Sequence, residues 1–405
     1  MRVEVDPPQP VSVDLGPDAS EAGAPRRFAS SEARSLHTIV LNDLAPETRY
    51  PFSLQAGSAT RVASFVTAPP DAADTSFRFL VYGDNRTDDA AHGSIVRAMT
   101  HVPSDFLVHT GDFVEDGANA SLWQRFFDIE APLLASRCVY SAVGNHELTD
   151  AAGTNFTRFF GPGDPQPTPS GEQTRLEHLN GTFRWGNTRF FIVNGMVSFG
   201  RSEGRAWLEK ALGDADTEPE LVWRVLVSHH GLWSSGPHGN NSKMHDGAIP
   251  AILENHKVDL VLSGHDHIYE RGMGDRIAYV VSGGGGAPLY KIKQRVPESR
   301  KAESVRHFVQ LDVTRDAMKL TAIRADGSTL DRCSLEKSGW DCDGRPKAVP
   351  PGAVASGEGV SAPATTSRPP SSRCACDAVG LAAGQNGALA ALAVALIALA
   401  RRRSR

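Results

Sequence analysis

Five short polar motifs, each placed directly after an apolar run, constrain this chain more than any other feature. They are Gly83-Asp84-Asn85-Arg86, Gly111-Asp112-Phe113-Val114-Glu115, Gly144-Asn145-His146-Glu147, Val227-Ser228-His229-His230 and Gly264-His265-Asp266-His267. The runs around and before them read FRFLVYG, DFLVHTG, VYSAVG, VLVSH and VDLVLSG, and two similar runs, FFIVNG and IAYVVSGGGG, lie elsewhere. A continuous apolar run bounded by glycine predicts a strand covered on both faces, as in α/β folds. Motifs at such strand ends gather at the C-terminal edge of a sheet, where open α/β sheets place their sites. The glycines are expected to permit the sharp turn out of each strand. Helices are expected around Ala118–Ala135 and Ala248–His256. A β-hairpin is expected from His307 to Ile323, turning at Arg315-Asp316.

The residue types in these motifs suit one task. Carboxylates and imidazoles, with no thiolate, form a shell for hard-to-borderline metal ions. A bridging carboxylate holds two ions about 3.5–4 Å apart, the spacing of two-metal hydrolytic sites. A water held between such ions loses its proton near neutral pH and becomes the nucleophile. Each motif alone is weak: Gly-Asp is usually a turn, Asn-His a loop or cap, and a single histidine a structural one. The set in this order, each member after a strand, is what carries the signal.

That set resembles the calcineurin-like metallophosphoesterases, and within them the purple acid phosphatases, over about Phe77 to Arg332. The resemblance implies an α/β domain of two packed β-sheets flanked by helices, a four-layer α/β/β/α arrangement. It implies two divalent or mixed-valence metal ions, iron, zinc or manganese. Asp84 and His267 would bind the first, Asp112 would bridge, and Asn145, His229 and His265 would bind the second. His146 would face the phosphoryl group. His238 would protonate the leaving alkoxide; the competing reading is a solvated loop histidine. The chain departs from the pattern twice. Where purple acid phosphatases have a tyrosine three residues after the bridging aspartate, this chain has Glu115, either a carboxylate ligand of the first metal or a solvated acid. Where related enzymes have Asp-x-His, this chain has Arg86, which either grips the substrate phosphate in two-pronged fashion or pairs with a nearby acid such as Asp88. Glu147 is expected to orient His146, His230 to be structural, His245 to line the cleft and Asp266 to point away. Gly283–Gly286 lacks the Lys-Ser/Thr of a phosphate loop and is expected to pack tightly near the site.

The remaining segments fill out the organisation. Residues 1–68 carry β-type runs such as LHTIVL and YPFSLQA between turns. Leu44, a proline turn and Tyr50 are spaced like a tyrosine corner. This segment resembles the fibronectin type III-like β-sandwich at the front of purple acid phosphatases, closing at Phe65-Val66-Thr67-Ala68-Pro69. It is short for a full sandwich, and MRVEVDPPQP has no apolar core of a signal peptide; a start upstream of Met1 is expected. The phosphoesterase domain is read as 77–344, followed by a Pro/Ser/Ala linker over 345–373 that cannot bury a core. Residues 374–405 hold Cys374, Cys376, the apolar run Gly387–Ala400 and terminal arginines. They resemble a MYXO-CTERM-type sorting tail, which implies export, surface anchoring and membrane contact through this segment. Cys138 is expected to be a buried thiol, and Cys333 and Cys342 are candidates for pairing in an oxidising compartment. A net charge of -5 offers no basic stripe for nucleic acid.

The combined expectation is metal-dependent hydrolysis of a small phosphorylated substrate, a monoester. The rivals are a phosphodiesterase or nucleotidase on the same residues, and a surface adhesion or binding protein with a degenerate metal site. Sequence leaves the oligomeric state open.

Overall fold

The computed structural model describes residues 1–16, 24–149, 153–160, 179–195, 199, 202–342 and 393–395. The expected linker and sorting tail lie outside these residues, apart from Ala393–Ala395. Met1–Cys342 belongs to one compact unit.

The N-terminal segment is antiparallel β. Strands β1 (Arg2–Leu15), β2 (Arg26–Thr38), β3 (Arg49–Ala56) and β4 (Ala59–Val66) form a sheet in which β1 pairs with β2 and β3, and β3 with β4. Burial alternates with the period of a strand: Val11, Val13, Leu15, Phe52, Leu54 and Ala56 are buried, and the residues between them are not. The Tyr50 hydroxyl accepts the Ala45 N–H at 2.8 Å, which fixes the corner into β3. Among the described residues this segment supplies one sheet, not the two of a complete sandwich. It is tied to the rest of the unit by polar contacts: Arg2 donates to the Thr157 carbonyl at 3.0 Å, Arg158 pairs with Glu4, and Ser64 N–H donates to the Ala135 carbonyl.

The larger part alternates strands and helices as expected. In chain order it comprises β5 (Phe77–Tyr82), α1 (Asp89–Thr100), β6 (Phe106–His109), α2 (Ala120–Leu134), β7 (Cys138–Ser141), α3 (Thr154–Phe160), β8 (Gly181–Trp185), β9 (Thr188–Val193), α4 (Ser202–Asp216), β10 (Trp223–Ser228), α5 (Ser242–Asp246), α6 (Ile249–Asn255), β11 (Leu260–Ser263), β12 (Tyr269–Gly274), β13 (Ile277–Ser282), β14 (Ser299–Glu303), β15 (His307–Val313), β16 (Met318–Arg324), β17 (Thr329–Glu336) and β18 (Gly339–Asp341). Two sheets result, ordered β18-β17-β16-β15-β5-β6-β7 and β14-β12-β13-β11-β10-β9-β8. A short strand at Ala393–Ala395, β19, pairs antiparallel with β1 at the edge of the N-terminal sheet.

The layers follow from which residues share a face. Phe79, Val81, Phe106 and Val108 of one sheet pack with Phe190, Val225, Val227, Leu260 and Val280 of the other. Their sequence neighbours point outward: Leu80, Tyr82 and Leu107 join helices α1 and α2, while Phe191, Leu226, Val261 and Val281 join helices α4 and α6. The order is helix, sheet, sheet, helix. Strands β5, β6 and β7 run parallel, as do β9, β10, β11 and β13. The β15–β16 hairpin closes with Thr314 N–H donating to the Ala317 carbonyl. Cys333 and Cys342 are joined by a disulfide, and Cys138 is a buried thiol.

Candidate metal centre

The motif residues come from both sheets. Asp84 follows β5, Asp112 follows β6 and Asn145 follows β7, all in one sheet; His229 follows β10, and His265 and His267 follow β11 of the other. Three of them, Asp84, Asp112 and His265, have positive φ angles of 55°, 58° and 68°. Left-handed backbone at a non-glycine residue costs about 1–2 kcal/mol, and its repetition at one cluster marks a constrained functional site. The neighbouring glycines serve another purpose than the expected one. Of Gly83, Gly111, Gly144 and Gly264, only Gly111 adopts positive φ. A Cβ on Gly144 would lie 2.2 Å from Asp112 Oδ1, and one on Gly264 would lie 2.2 Å from Asp84 Oδ2. They are there because the carboxylates pass too close for any side chain.

One cluster forms around Asp112 Oδ1. His229 donates its Nδ1–H to the Thr110 carbonyl at 2.9 Å, so its Nε2 presents a lone pair. That atom lies 3.3 Å from Asp112 Oδ1, 3.1 Å from Asn145 Oδ1 and 3.2 Å from His265 Nδ1. On the other side, His267 donates its Nδ1–H to the Pro288 carbonyl at 2.7 Å, turning its Nε2 toward Asp84 Oδ1 at 3.6 Å. Asp84, Asp112 and His267 each place a ligand atom within 4.8 Å of the others, and all three are buried.

The Calcineurin-like phosphoesterase family matches residues 77–269, the stretch that contributes every motif above. The domain is a calcineurin-like metallophosphoesterase, purple acid phosphatase-like. Among curated relatives, purple acid phosphatase 7 of Arabidopsis thaliana is 26% identical over 305 residues, covering 65% of this chain and 87% of the relative. Probable purple acid phosphatase 20 of the same plant is 26% identical, covering 58% of this chain and 55% of the relative. In fold, the chain is similar to the purple acid phosphatase PPD1 of yellow lupin seeds, with a TM-score of 0.67, 18% identity and 82% and 70% of the two chains covered. The disulfide and this relationship suggest an extracellular protein. No described helix is long and apolar enough to cross a membrane.

Within this metallophosphoesterase site, Arg86 and Glu115 occupy each other. Arg86 is 12% exposed and donates from Nε to Asp112 Oδ2 at 3.2 Å and from Nη1 to Glu115 Oε2 at 2.6 Å. Its Nη2 lies 3.5 Å from His267 Nε2. Glu115, 49% exposed, also accepts from the Thr87 hydroxyl. The guanidinium therefore stands on the side of Asp112 and His267, and its partners are Asp112 and Glu115, not the nearby Asp88. His146 sits above the bridge: its N–H donates to Asp112 Oδ1 at 3.1 Å, its Nδ1–H donates to the Glu115 carbonyl at 2.6 Å, and its Nε2 lies 3.9 Å from Asp112 Oδ2. His238 is brought against His265, with ring centroids 4.0 Å apart.

Several supporting residues were not legible as such. Glu147, buried, turns away from His146 and accepts the N–H groups of Asp112, Phe113 and Gly144, each at 2.8 Å. It holds the backbone of the bridging loop. Asp266 accepts from Ser234 and from His238 N–H, so it anchors the loop carrying His238. His109 joins the first two motifs by donating Nε2–H to Asn85 Oδ1 at 2.7 Å while Nδ1 accepts Gly111 N–H. Tyr290 stacks on His267 at 4.0 Å. His245 bonds the Leu232 carbonyl and sits against Trp233. The Gly283–Gly286 turn buttresses the first motif through Gly285 N–H to the Gly83 carbonyl.

The electrostatics ask for positive charge. Burial and the adjacent Asp112 push the Asp84 carboxyl well above the usual range, and the same two causes push Glu147 to about 8. Burial works against ionisation of Asp112 too, yet His229, His146 and Arg86 hold it below its ordinary value. Burial lowers His229 and His265, and lowers His267 to about 4, which keeps the imidazoles neutral. Buried carboxylates facing imidazole and amide lone pairs form a donor set that, among the described residues, has Arg86 as its counter-ion. Metal cations fit that set, and the family implies them.

Proposed function

We propose that this hydrolase cleaves phosphate monoesters at a centre holding two metal ions, iron, zinc or manganese. Asp84 and His267 would hold the first, Asn145, His229 and His265 the second, and Asp112 both. The observation that carries this reading is the placing of two separately oriented imidazole lone pairs about Asp112: His229 Nε2 faces its Oδ1, and His267 Nε2, turned to Asp84, lies in one group of ligand atoms with Asp84 and Asp112. When bound, the ions supply Lewis-acid charge for the phosphoryl oxygens and activation of a water molecule. The protein's residues do the rest. His146, its Nδ1–H anchored on the Glu115 carbonyl, directs Nε2 toward a phosphoryl oxygen above Asp112. Arg86 offers a guanidinium to the same phosphoryl group, with Glu115 holding it in place. His238, held through its backbone by Asp266, delivers a proton to the leaving oxygen.

The substrate is a small phosphorylated molecule, not nucleic acid, met outside the cytoplasm, with residues 374–405 anchoring the chain at the cell surface. An aryl phosphate monoester and the corresponding diester test this directly. The monoester is expected to show a kcat/KM higher by about tenfold or more. The reverse ranking would favour a diesterase or nucleotidase, and no turnover of either ester would overturn the proposal.

A further inference from the structure

A cavity of about 270 Å³ adjoins the centre on the side of His238 and His265. Its wall comes mainly from the loop and short helix after β10, including His230, Asn240, Asn241 and Lys243. Three side-chain acceptors in this wall, those of Asn240, Asn241 and Asp266, are already engaged. Asn240 Oδ1 takes the N–H of Ser234 at 3.1 Å, and Asn241 Oδ1 takes that of Met244 at 3.2 Å. Asp266, the acid in the wall, takes the Ser234 hydroxyl and His238 N–H. What these side chains still offer a ligand is donors: two carboxamide N–H₂ groups and the Lys243 ammonium. His230 adds a buried Nδ1 with no hydrogen-bond partner among the described residues. Its ring lies 4.1 Å from that of His265, which itself lines the cavity.

A wall rich in donors with one lysine at its rim complements an anion. The volume is near the lower end for small-molecule pockets, about 300–1,000 Å³, so the group it takes is compact. We propose that this cavity is the leaving-group subsite and that it selects phosphate esters whose leaving group carries a second anionic group, a carboxylate or another phosphate. The inference rests on the monoester hydrolysis proposed above. His238 stands between subsite and centre, placing its proton where the leaving oxygen separates.

The test uses the full chain with metal and a matched pair of esters, 2-phosphoglycolate and ethyl phosphate, which differ by a carboxylate in place of a methyl group. The native protein is expected to favour 2-phosphoglycolate. In Lys243→Met the ratio of the two kcat/KM values should fall by about threefold to fivefold, the scale of one rim charge, and in Lys243→Glu it should fall further. Lys210→Met, which removes an exposed lysine elsewhere, should leave the ratio as it is. Calorimetry with phosphonoacetate and ethylphosphonate should show the same Lys243-dependent difference in affinity without turnover. Hydrolysis of both esters with a ratio indifferent to Lys243 would overturn the subsite and leave the phosphatase reading standing. Failure to hydrolyse either ester would overturn both.

Discussion

Asp112→Asn is expected to lower kcat/KM on phosphate monoesters by about 10³-fold or more, the scale on which removing one member of a catalytic unit acts, and to release bound metal. Asp112 is the side chain that touches both halves of the centre. Its Oδ1 lies 3.3 Å from His229 Nε2, and its Oδ2 faces Arg86 and His146. Asparagine keeps the shape but loses the charge, and its amide nitrogen turns a donor toward Arg86 or a metal. Unfolding does not account for such a loss. The variant gives up the pairing with Arg86 that helps hold Asp112 ionised but relieves the repulsion Asp112 exerts on Asp84 and Glu147, so the metal-free variant should melt close to the metal-free native protein. Metal analysis, steady-state kinetics and thermal melting on the same preparations separate the two effects. Hydrolysis within tenfold of native, with metal retained, would remove Asp112 from its role.

Glu147→Ala is expected to act on stability first. Three backbone N–H groups, those of Asp112, Phe113 and Gly144, would lose their acceptor inside the protein. An unsatisfied buried donor costs about 1–3 kcal/mol, so the total loss should reach about 3 kcal/mol or more. The same change frees the loop that keeps Asp112 at φ 58°, and metal affinity should fall with it by about 10–100-fold, as for other supports of metal ligands. Glu147→Gln keeps one carbonyl acceptor and should fall between. Denaturant unfolding with and without metal reads both quantities. An alanine variant as stable as the native protein, with full metal affinity, would show that Glu147 is not what holds this loop.

The elements of the centre were legible because strand ends and metal-ligand residue types coincide in the sequence. The helices over Ala120–Leu134 and Ile249–Asn255 and the hairpin at Arg315-Asp316 fell where composition placed them. What sequence did not carry was direction. Glu147 follows His146 in the chain, so pairing them was natural, yet the short 3₁₀ turn over His146–Leu148 sends Glu147 inward to the loop backbone. The glycines looked like turn residues, whereas Gly144 and Gly264 mark the close passage of Asp112 and Asp84. Arg86 offered a local partner in Asp88, two residues on; its actual partners stand 26 and 29 positions away, a distance no local pattern encodes. His109 and Asp266 carry no motif that separates a supporting role from an ordinary buried polar one.

The measurement that tests the account most directly is anomalous X-ray diffraction on the native protein crystallised with its metals. Two ions per chain are expected, one among Asp112, Asn145, His229 and His265, the other among Asp84, Asp112 and His267, about 3.5–4 Å apart. A catalytically active protein holding no ion against Asp112, or a single ion bound away from these residues, would contradict it.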